Sequence, residues 1–465
     1  MDNNSSDGDA AQTVANTDNH PNTGIFNARE LGVPKMGLLG LQHLFAMFGA
    51  TVLVPVITGL PIPTTLLMAG IGTLIFHLIT KLRVPAFLGS SFAFIGGYEA
   101  VKSMGMEIGM SQTLALDYAC VGIFCAGMVY FVLAGLIKLF GSRKILRFFP
   151  PIVTGPIVIA IGLTLSGSAI SNCTQSWPIA ILAILIVIVA NIWGRGILRI
   201  VPILLGVIGS YIVAVCCGMV DFKEFNEAAW FGLPFQRETT VLAVFDNTNW
   251  DFLLSAVIAI VPIAFATIVE HIGDMCAISS TTGKNYLYNP GLHRTLTGDG
   301  VATALASLFG APANTTYGEN TGVLNLTKVF DPLVIRIAAC FAIILSFSPK
   351  FAALIHLMPA ATIGGVSLIL YGMISAVGIR NLVESKTDFS KSRNVIIAAL
   401  ILVLSIGIKY GADDKVMIGN IGFSGLAIAA LVGIILNAII PPGVKANDET
   451  DLKIDENKSK QKVII

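Results

Sequence analysis

From about residue 36 to residue 440 the chain is a succession of apolar runs, each close to the length that crosses a bilayer, separated by short polar stretches. A hydrocarbon core about 30 Å thick takes about 20 apolar residues per helix. With no water inside it to bond stray backbone groups, it admits only helices and closed barrels. Runs of this length therefore specify an all-α integral membrane protein. Composition agrees, because 54% of the residues are hydrophobic and 12% charged, where a soluble domain carries roughly a quarter charged.

Spans are expected at 36–59, 64–80, 86–103, 112–139, 152–170, 178–193, 199–219, 250–274, 297–309, 313–328, 333–349, 360–378, 394–410 and 420–440, fourteen transmembrane segments in all. Residues 1–35 are polar and lack the basic and apolar regions of a signal peptide, so they read as a disordered cytoplasmic tail. Residues 441–465 are mostly charged or polar and read as a second cytoplasmic tail. The seven cysteines show no CxxC pair and no metal-ligand spacing, so they read as small hydrophobes. With the N-terminus inside, sixteen Lys and Arg residues fall in inner loops, among them Lys81, Arg83, Arg143, Lys144, Arg147, Arg195 and Arg199, against six in outer loops. That asymmetry fits the positive-inside rule with both termini cytoplasmic.

The longest outer loop, 221–249, divides the chain into a first repeat at 36–220 (spans 1–7) and a second at 250–440 (spans 8–14). Seven is odd, so the two repeats must be inverted. Inverted repeats are a recurring plan of secondary transporters, whose site lies at mid-membrane where broken helices meet. Two segments look broken at matching places, RVPAFLGSSFAFIGG at 83–97 and GAPANTTYGENTGV at 310–323. Each sets a Pro-containing extended piece before small polar residues and then helix, which leaves helix N-terminal N–H groups free to bind a polar solute. Gln42 to Ser91 and Glu270 to Glu319 are both separated by 49 residues.

Ionisable residues inside spans are costly and mark pathways. Those singled out are His43, His77, Asp117, Glu270, His271, Asp274, Glu319 and His356. Asp117 reads as facing interfacial water, and His77 and His356 as histidines satisfied by backbone carbonyls. His43 either contacts the solute or supports groups that do. Glu270 and Asp274 lie four residues apart on one helix face. In low dielectric they cannot both stay charged cheaply, so one is expected to hold a proton. The bland alternative is a pair of buried hydrogen bonds that never cycles. Glu319 follows Gly318, which lets backbone approach a ligand, and lies at a helix N-terminus. Its carboxylate accepts while neighbouring N–H groups donate, which matches a planar solute with alternating N–H and C=O, such as a nucleobase edge. Phe92 or Tyr317 could stack on the ring. No HExxH, GxSxG or carboxylate-rich metal motif is present, so an enzyme is not expected, and neither is a nucleic-acid partner.

LQHLFAMFGATVLVP at 41–55, PAFLGSSFAFI at 85–95, EHIGD at 270–274, PGLHR at 290–294, NTTYGENTGVLNLTKV at 314–329 and GGVSLILYG at 364–372 resemble the nucleobase/ascorbate transporter (nucleobase:cation symporter-2) family. Within it, they look like the bacterial uracil permeases. The likeness covers nearly all of 36–440, and ENTGVLNLTK at 319–328 matches the family signature. It implies two inverted seven-span repeats and a core of spans one to four and eight to eleven moving against a gate. It also implies short strands in spans three and ten, and a homodimer in membrane lipid. The substrate would be uracil or a related nucleobase, and the coupling ion a proton, with no other cofactor. By the same resemblance, substrate contacts fall to Phe92, Glu270, Gly318 and Glu319, with Ser91 and Tyr317 in support. Tyr371 would lie on the gate side and His43 in the core near the site. Where the uracil-transporting pattern has His four residues after the first carboxylate, this chain has Asp274, as many purine-transporting relatives do. Glu319 points the other way, because xanthine and urate carriers commonly have Gln there.

Overall fold

The computed structural model describes residues 24–141, 150–199, 201–246, 248–412, 416–418 and 421–441. Most of residues 1–35, all but the first residue of 441–465, and Arg143, Lys144 and Arg147, expected in an inner loop, lie outside them.

The first half runs through α1 (Val33–Thr58), α2 (Ile62–Ile79), β1 (Leu88–Ser90), a 3-10 turn at Phe92–Phe94, α3 (Ile95–Glu107), α4 (Gln112–Phe140), α5 (Pro151–Cys173), α6 (Trp177–Ile192) and α7 (Pro202–Cys216). The second half runs through α8 (Trp250–Ile260), α9 (Ile263–Thr282), α10 (Leu292–Leu308), β2 (Asn314–Thr316), α11 (Gly318–Thr327), α12 (Pro332–Ser346), α13 (Pro349–His356), α14 (Ala360–Glu384), α15 (Ser392–Gly411), the small hairpin β3 (Val416–Ile418) and β4 (Ile421–Phe423), and α16 (Gly425–Ile439). Proline opens α1, α2, α5, α6, α7, α12 and α13 at the first or second helical position, where its missing N–H costs nothing.

By length and apolarity, seven helices among the described residues can cross a membrane alone, α8 and α9 counting together as one of 33 residues. Taking α12 and α13, bent by 88°, as one span gives an eighth. The other segments are short or interrupted for a visible reason: α3 and α11 give up their first turns to strand, and α10 carries Thr, Gly and Asp residues in place of aliphatic ones.

The strands explain how the interruptions survive in an apolar interior. Pro85 and Pro312 keep the chain extended ahead of them, and an unpaired backbone group there would cost several kcal/mol. β1 and β2 solve this by pairing antiparallel, with Leu88 opposite Thr316, Gly89 opposite Thr315 and Ser90 opposite Asn314. Outer backbone groups are met by threonines from neighbouring helices. Thr73 of α2 accepts from Leu88 N at 2.9 Å and donates to Leu88 O at 3.2 Å, while Thr303 of α10 donates to Asn314 O at 2.7 Å.

Around this ladder α2 and α10 pack on each other, α4 packs on α10 as α2 packs on α12, and α8 packs on α4 as α1 packs on α12. A second layer repeats the pattern: α5 lies along α14, α6 on α7, and α15 on α16. The α5–α14 contact is close enough that a side chain at Gly162 would overlap Ser375 and the Tyr371 carbonyl. Small residues at such crossings are how apolar helices gain contact when lipid is as greasy as they are.

One region differs from the sequence expectation. Residues 24–32 were assigned to a disordered tail, yet Ile25 bridges Val329, Ala28 N donates to Asp331 Oδ2 at 2.8 Å, and Phe26 packs on Phe330 with centroids 5.3 Å apart. Apolar Ile25 and Phe26 gain more from this docking than from solvent. The 221–249 loop is likewise anchored, with Lys350 of α13 set 4.9 Å from both the Phe225 and Trp230 rings.

Candidate functional site

The two strands aim the start of α11 and the 3-10 turn at Phe92 toward α9. Tyr317 is still extended, at φ −107 and ψ 119, and Gly318 opens α11. The first N–H groups of such a helix have no partner within it and carry its positive pole. Gly318 is exposed although all three β2 residues before it are buried, so the backbone is bare where the dipole emerges. Glu319 follows in the first turn, half-buried.

Asp274 reaches this junction from α9. Its Oδ2 accepts from Thr316 at 2.8 Å, and its Oδ1 lies 3.5 Å from where a Cβ on Gly318 would stand. One turn earlier, Glu270 is exposed and feels the charge of Glu319. The structure thus gathers Glu270, Asp274, Gly318 and Glu319. On the opposite side Ser91 is buried, its N–H bound to Ala313 O at 2.8 Å and its hydroxyl without a protein partner, and Phe92 is half-exposed on the turn that packs against α9. A cavity of about 770 Å³, lined by Phe45 and Gly49 of α1, Arg195 and Arg199 of the α6–α7 turn, and Asn325 of α11, has Glu319 in its wall. That volume falls within the usual range of small-molecule sites.

Other expected residues sit further back. Tyr317 is 3% exposed. Its hydroxyl donates to Ser90 O at 2.9 Å and accepts from Thr51 at 3.3 Å, so its ring braces the ladder and is not free to stack. Of the two rings expected to stack, Phe92 is the one left half-exposed. His43 is fully buried, and Asn320 Nδ2 donates to its Nδ1 at 3.1 Å and its carbonyl at 3.2 Å. The histidine therefore holds the residue after Glu319. Tyr371 lies on α14 beside Ser168 and Ser367, at the α5 contact and away from the ladder.

Several sequence readings need correction. Asp117 is 2% exposed and does not face water. His356 pairs with Glu224 at 3.3 Å on the exposed loop surface, where no backbone carbonyl is needed to satisfy it. His77 meets Ala86 O at 2.9 Å, as a backbone-satisfied histidine does. The residue missed outright is Asp299. It lies inside the expected 297–309 span and midway along α10, with Oδ2 2.9 Å from Nδ1 of His271. Both side chains are 0% exposed, and neither atom makes an aligned hydrogen bond. The signal was TGDG, a carboxylate between glycines inside an apolar run. Among the described residues no group of three His, Cys, Asp or Glu side chains could hold a metal ion.

Comparison with known proteins bears on this arrangement. Residues 34–413 match the family model described as Permease family (Xan_ur_permease). The chain is 41% identical over 423 residues to the uracil permease of Bacillus subtilis (strain 168), covering 88% of this chain and 93% of that one. It is 40% identical over 430 residues to the uracil permease of Bacillus caldolyticus, covering 90% and 95%, and 39% identical over 412 residues to that of Escherichia coli (strain K12), covering 86% and 90%. Among solved structures it resembles the transmembrane domain of the cyanobacterial bicarbonate transporter BicA (TM-score 0.57, 15% identity, 89% of this chain and 99% of that one). It also resembles the murine anion transporter Slc26a9 in its inward-facing state (TM-score 0.62, 12% identity, 89% and 70%). At such identities these two likenesses concern the fold alone. The chain belongs to this permease family, the same nucleobase/ascorbate transporter family that its motifs resemble.

Proposed function

We propose that the chain imports uracil across the cell membrane by proton symport. The observation that carries this reading is the meeting of Glu270, Asp274, the bare Gly318 backbone and Glu319 at the crossing of two broken segments, with a cavity reaching Glu319. Relatives about 40% identical over most of the chain, named uracil permeases, support the choice of base.

In this mechanism the base lies against Phe92, its N–H groups donate to Glu319 and Glu270, and the Gly318 N–H donates to a base carbonyl. A proton taken from outside onto the Glu270/Asp274 pair removes one charge from a crowded site, so a neutral base can bind without a second carboxylate repelling the first. The helices around the ladder then move against the α5–α7 and α14–α16 layer, and base and proton leave through the cavity at the α6–α7 turn. The matched packing of α4 on α10 with α2 on α12, and of α8 on α4 with α1 on α12, supports fourteen spans in two inverted repeats, 36–220 and 250–440. Cytoplasmic termini, a homodimer in lipid and the absence of any cofactor besides the proton complete the reading.

Uptake of radiolabelled uracil into proteoliposomes, with and without an imposed pH gradient, is the test. Saturable uptake raised by an acidic exterior is expected, and uptake indifferent to the gradient would refute the coupling. Asp274 favours one alternative, a xanthine or other purine carrier of the same family. Competition with unlabelled bases separates the two.

A further inference from the structure

We infer that Thr316 is the positioning residue that decides which oxygen of Asp274 takes the proton, directing it to Oδ1, the oxygen beside Gly318. This deepens the carrier reading above and rests on it.

The strand holds Thr316 in place. Its Cα pairs with Leu88, whose backbone N and O are both bound by Thr73, and the next residue, Tyr317, donates its N–H to Phe87 O at 3.0 Å. The side chain then carries β2 across to α9, donating to Asp274 Oδ2 at 2.8 Å. A hydroxyl whose proton is given to Oδ2 makes that oxygen the poorer base of the two. It also orients the carboxyl plane so that Oδ1 faces the strand–helix junction, 3.5 Å from the Cβ position of Gly318. The other charges acting on Asp274 are Glu270 on its own helix, Glu319 on α11 and Asp299 on α10. Asp299 lies against His271, so Glu270 and Glu319 are the carboxylates without a histidine beside them.

The step itself is simple: one proton adds to one carboxylate oxygen, and no bond breaks. Its consequence lies in where the new O–H stands. On Oδ1 it is a donor at the rim of the base site, next to the Gly318 N–H, so loading the proton turns an acceptor into a donor where a base carbonyl would dock. On Oδ2 it would point into the strand and leave the site unchanged. Proton and base are thereby linked through one fixed hydroxyl, with no movement of either helix required.

The test follows the Asp274 carboxylic-acid C=O stretch in the purified full-length protein by infrared difference spectroscopy against pH, with Asp274→Asn assigning the band. Thr316→Val keeps the shape and removes the donor, so the charged form loses a hydrogen bond and the acid form persists to higher pH. A displacement of about one to two pH units upward is expected, from the strength of a hydrogen bond to a charged group. Thr316→Ser should superimpose on the unaltered protein. Thr316→Cys, a weaker donor, should fall between and serves if the valine variant does not fold. Superimposed curves for the valine or cysteine variant would overturn the assignment, as would an equal displacement with serine. The titration needs no substrate, so it stands or falls separately from uracil uptake. In uptake, the valine variant should shift the pH profile in the same direction, whereas a loss of rate at every pH would mark a merely structural role.

Discussion

Gly318→Ala should leave the protein folded while closing the site. An added Cβ meets Asp274 Oδ1 at 3.5 Å, an ordinary van der Waals contact, and Gly318 is not among the residues with positive φ. Replacing glycine by alanine at a compatible position stabilises a chain by about 0.4–1 kcal/mol through the unfolded state. The same methyl stands where a base must reach the helix N-terminal N–H, and forcing an extra methyl into a well-packed contact costs about 1–3 kcal/mol. At 1.4 kcal/mol per factor of ten, that is a loss of roughly 5- to 150-fold in affinity. Equilibrium binding of labelled uracil to the purified protein measures the loss, and thermal unfolding of the same sample should give an unchanged or slightly raised midpoint. Unaltered affinity with an intact fold would remove the Gly318 backbone from the site. A collapsed midpoint would show that the local packing had been misjudged.

Three more substitutions probe the surroundings. Asp274→Asn should abolish accumulation driven by a pH gradient while leaving uracil exchange at equal pH, and gradient-driven accumulation that survives would exclude Asp274 from coupling. Glu319→Gln removes an acceptor that bears charge, and by the strength of such bonds uracil affinity should fall roughly 10- to 150-fold; an unchanged dissociation constant in the binding assay would place Glu319 outside the site. Tyr317→Phe should cost about 1 kcal/mol for each bond lost, to Ser90 O and Thr51. It should lower the unfolding midpoint with uracil affinity kept within twofold, and a large affinity loss would return Tyr317 to the contact set.

The broken segments were legible because Pro85 and Pro312, each followed within a few residues by small polar side chains, forbid an unbroken helix. Their partnership was not readable from periodicity, since strands of three residues carry no period and their register is fixed by helices from both halves. The carboxylate pair on α9 followed from spacing alone. Asp299 escaped because its partner, His271, comes from a neighbouring helix, and spacing along the chain does not show how α9 and α10 meet. Tyr317 stood beside Phe92 as a ring that could stack on the solute because sequence tells which residue adjoins Gly318 but not where its side chain points. The ordered stretch 24–32 was obscured by the polar composition around two apolar residues, Ile25 and Phe26, that decide its docking.

The β1–β2 ladder also has a consequence for assembly. Its partners are separated by 224 to 228 residues, counting from Ser90 to Asn314 and from Leu88 to Thr316. At a synthesis rate of 5–20 residues per second the first strand waits roughly 10 to 45 s for the second to be made. Throughout that interval the backbone groups of Phe87–Ser91 that later pair with the 313–317 stretch have no partner, although Leu88 N and O are already met by Thr73, and lipid penalises each exposed group by several kcal/mol. The first half must therefore keep this segment in contact with water or with the insertion machinery until Asn314–Thr316 arrives, and the substrate site cannot close before then.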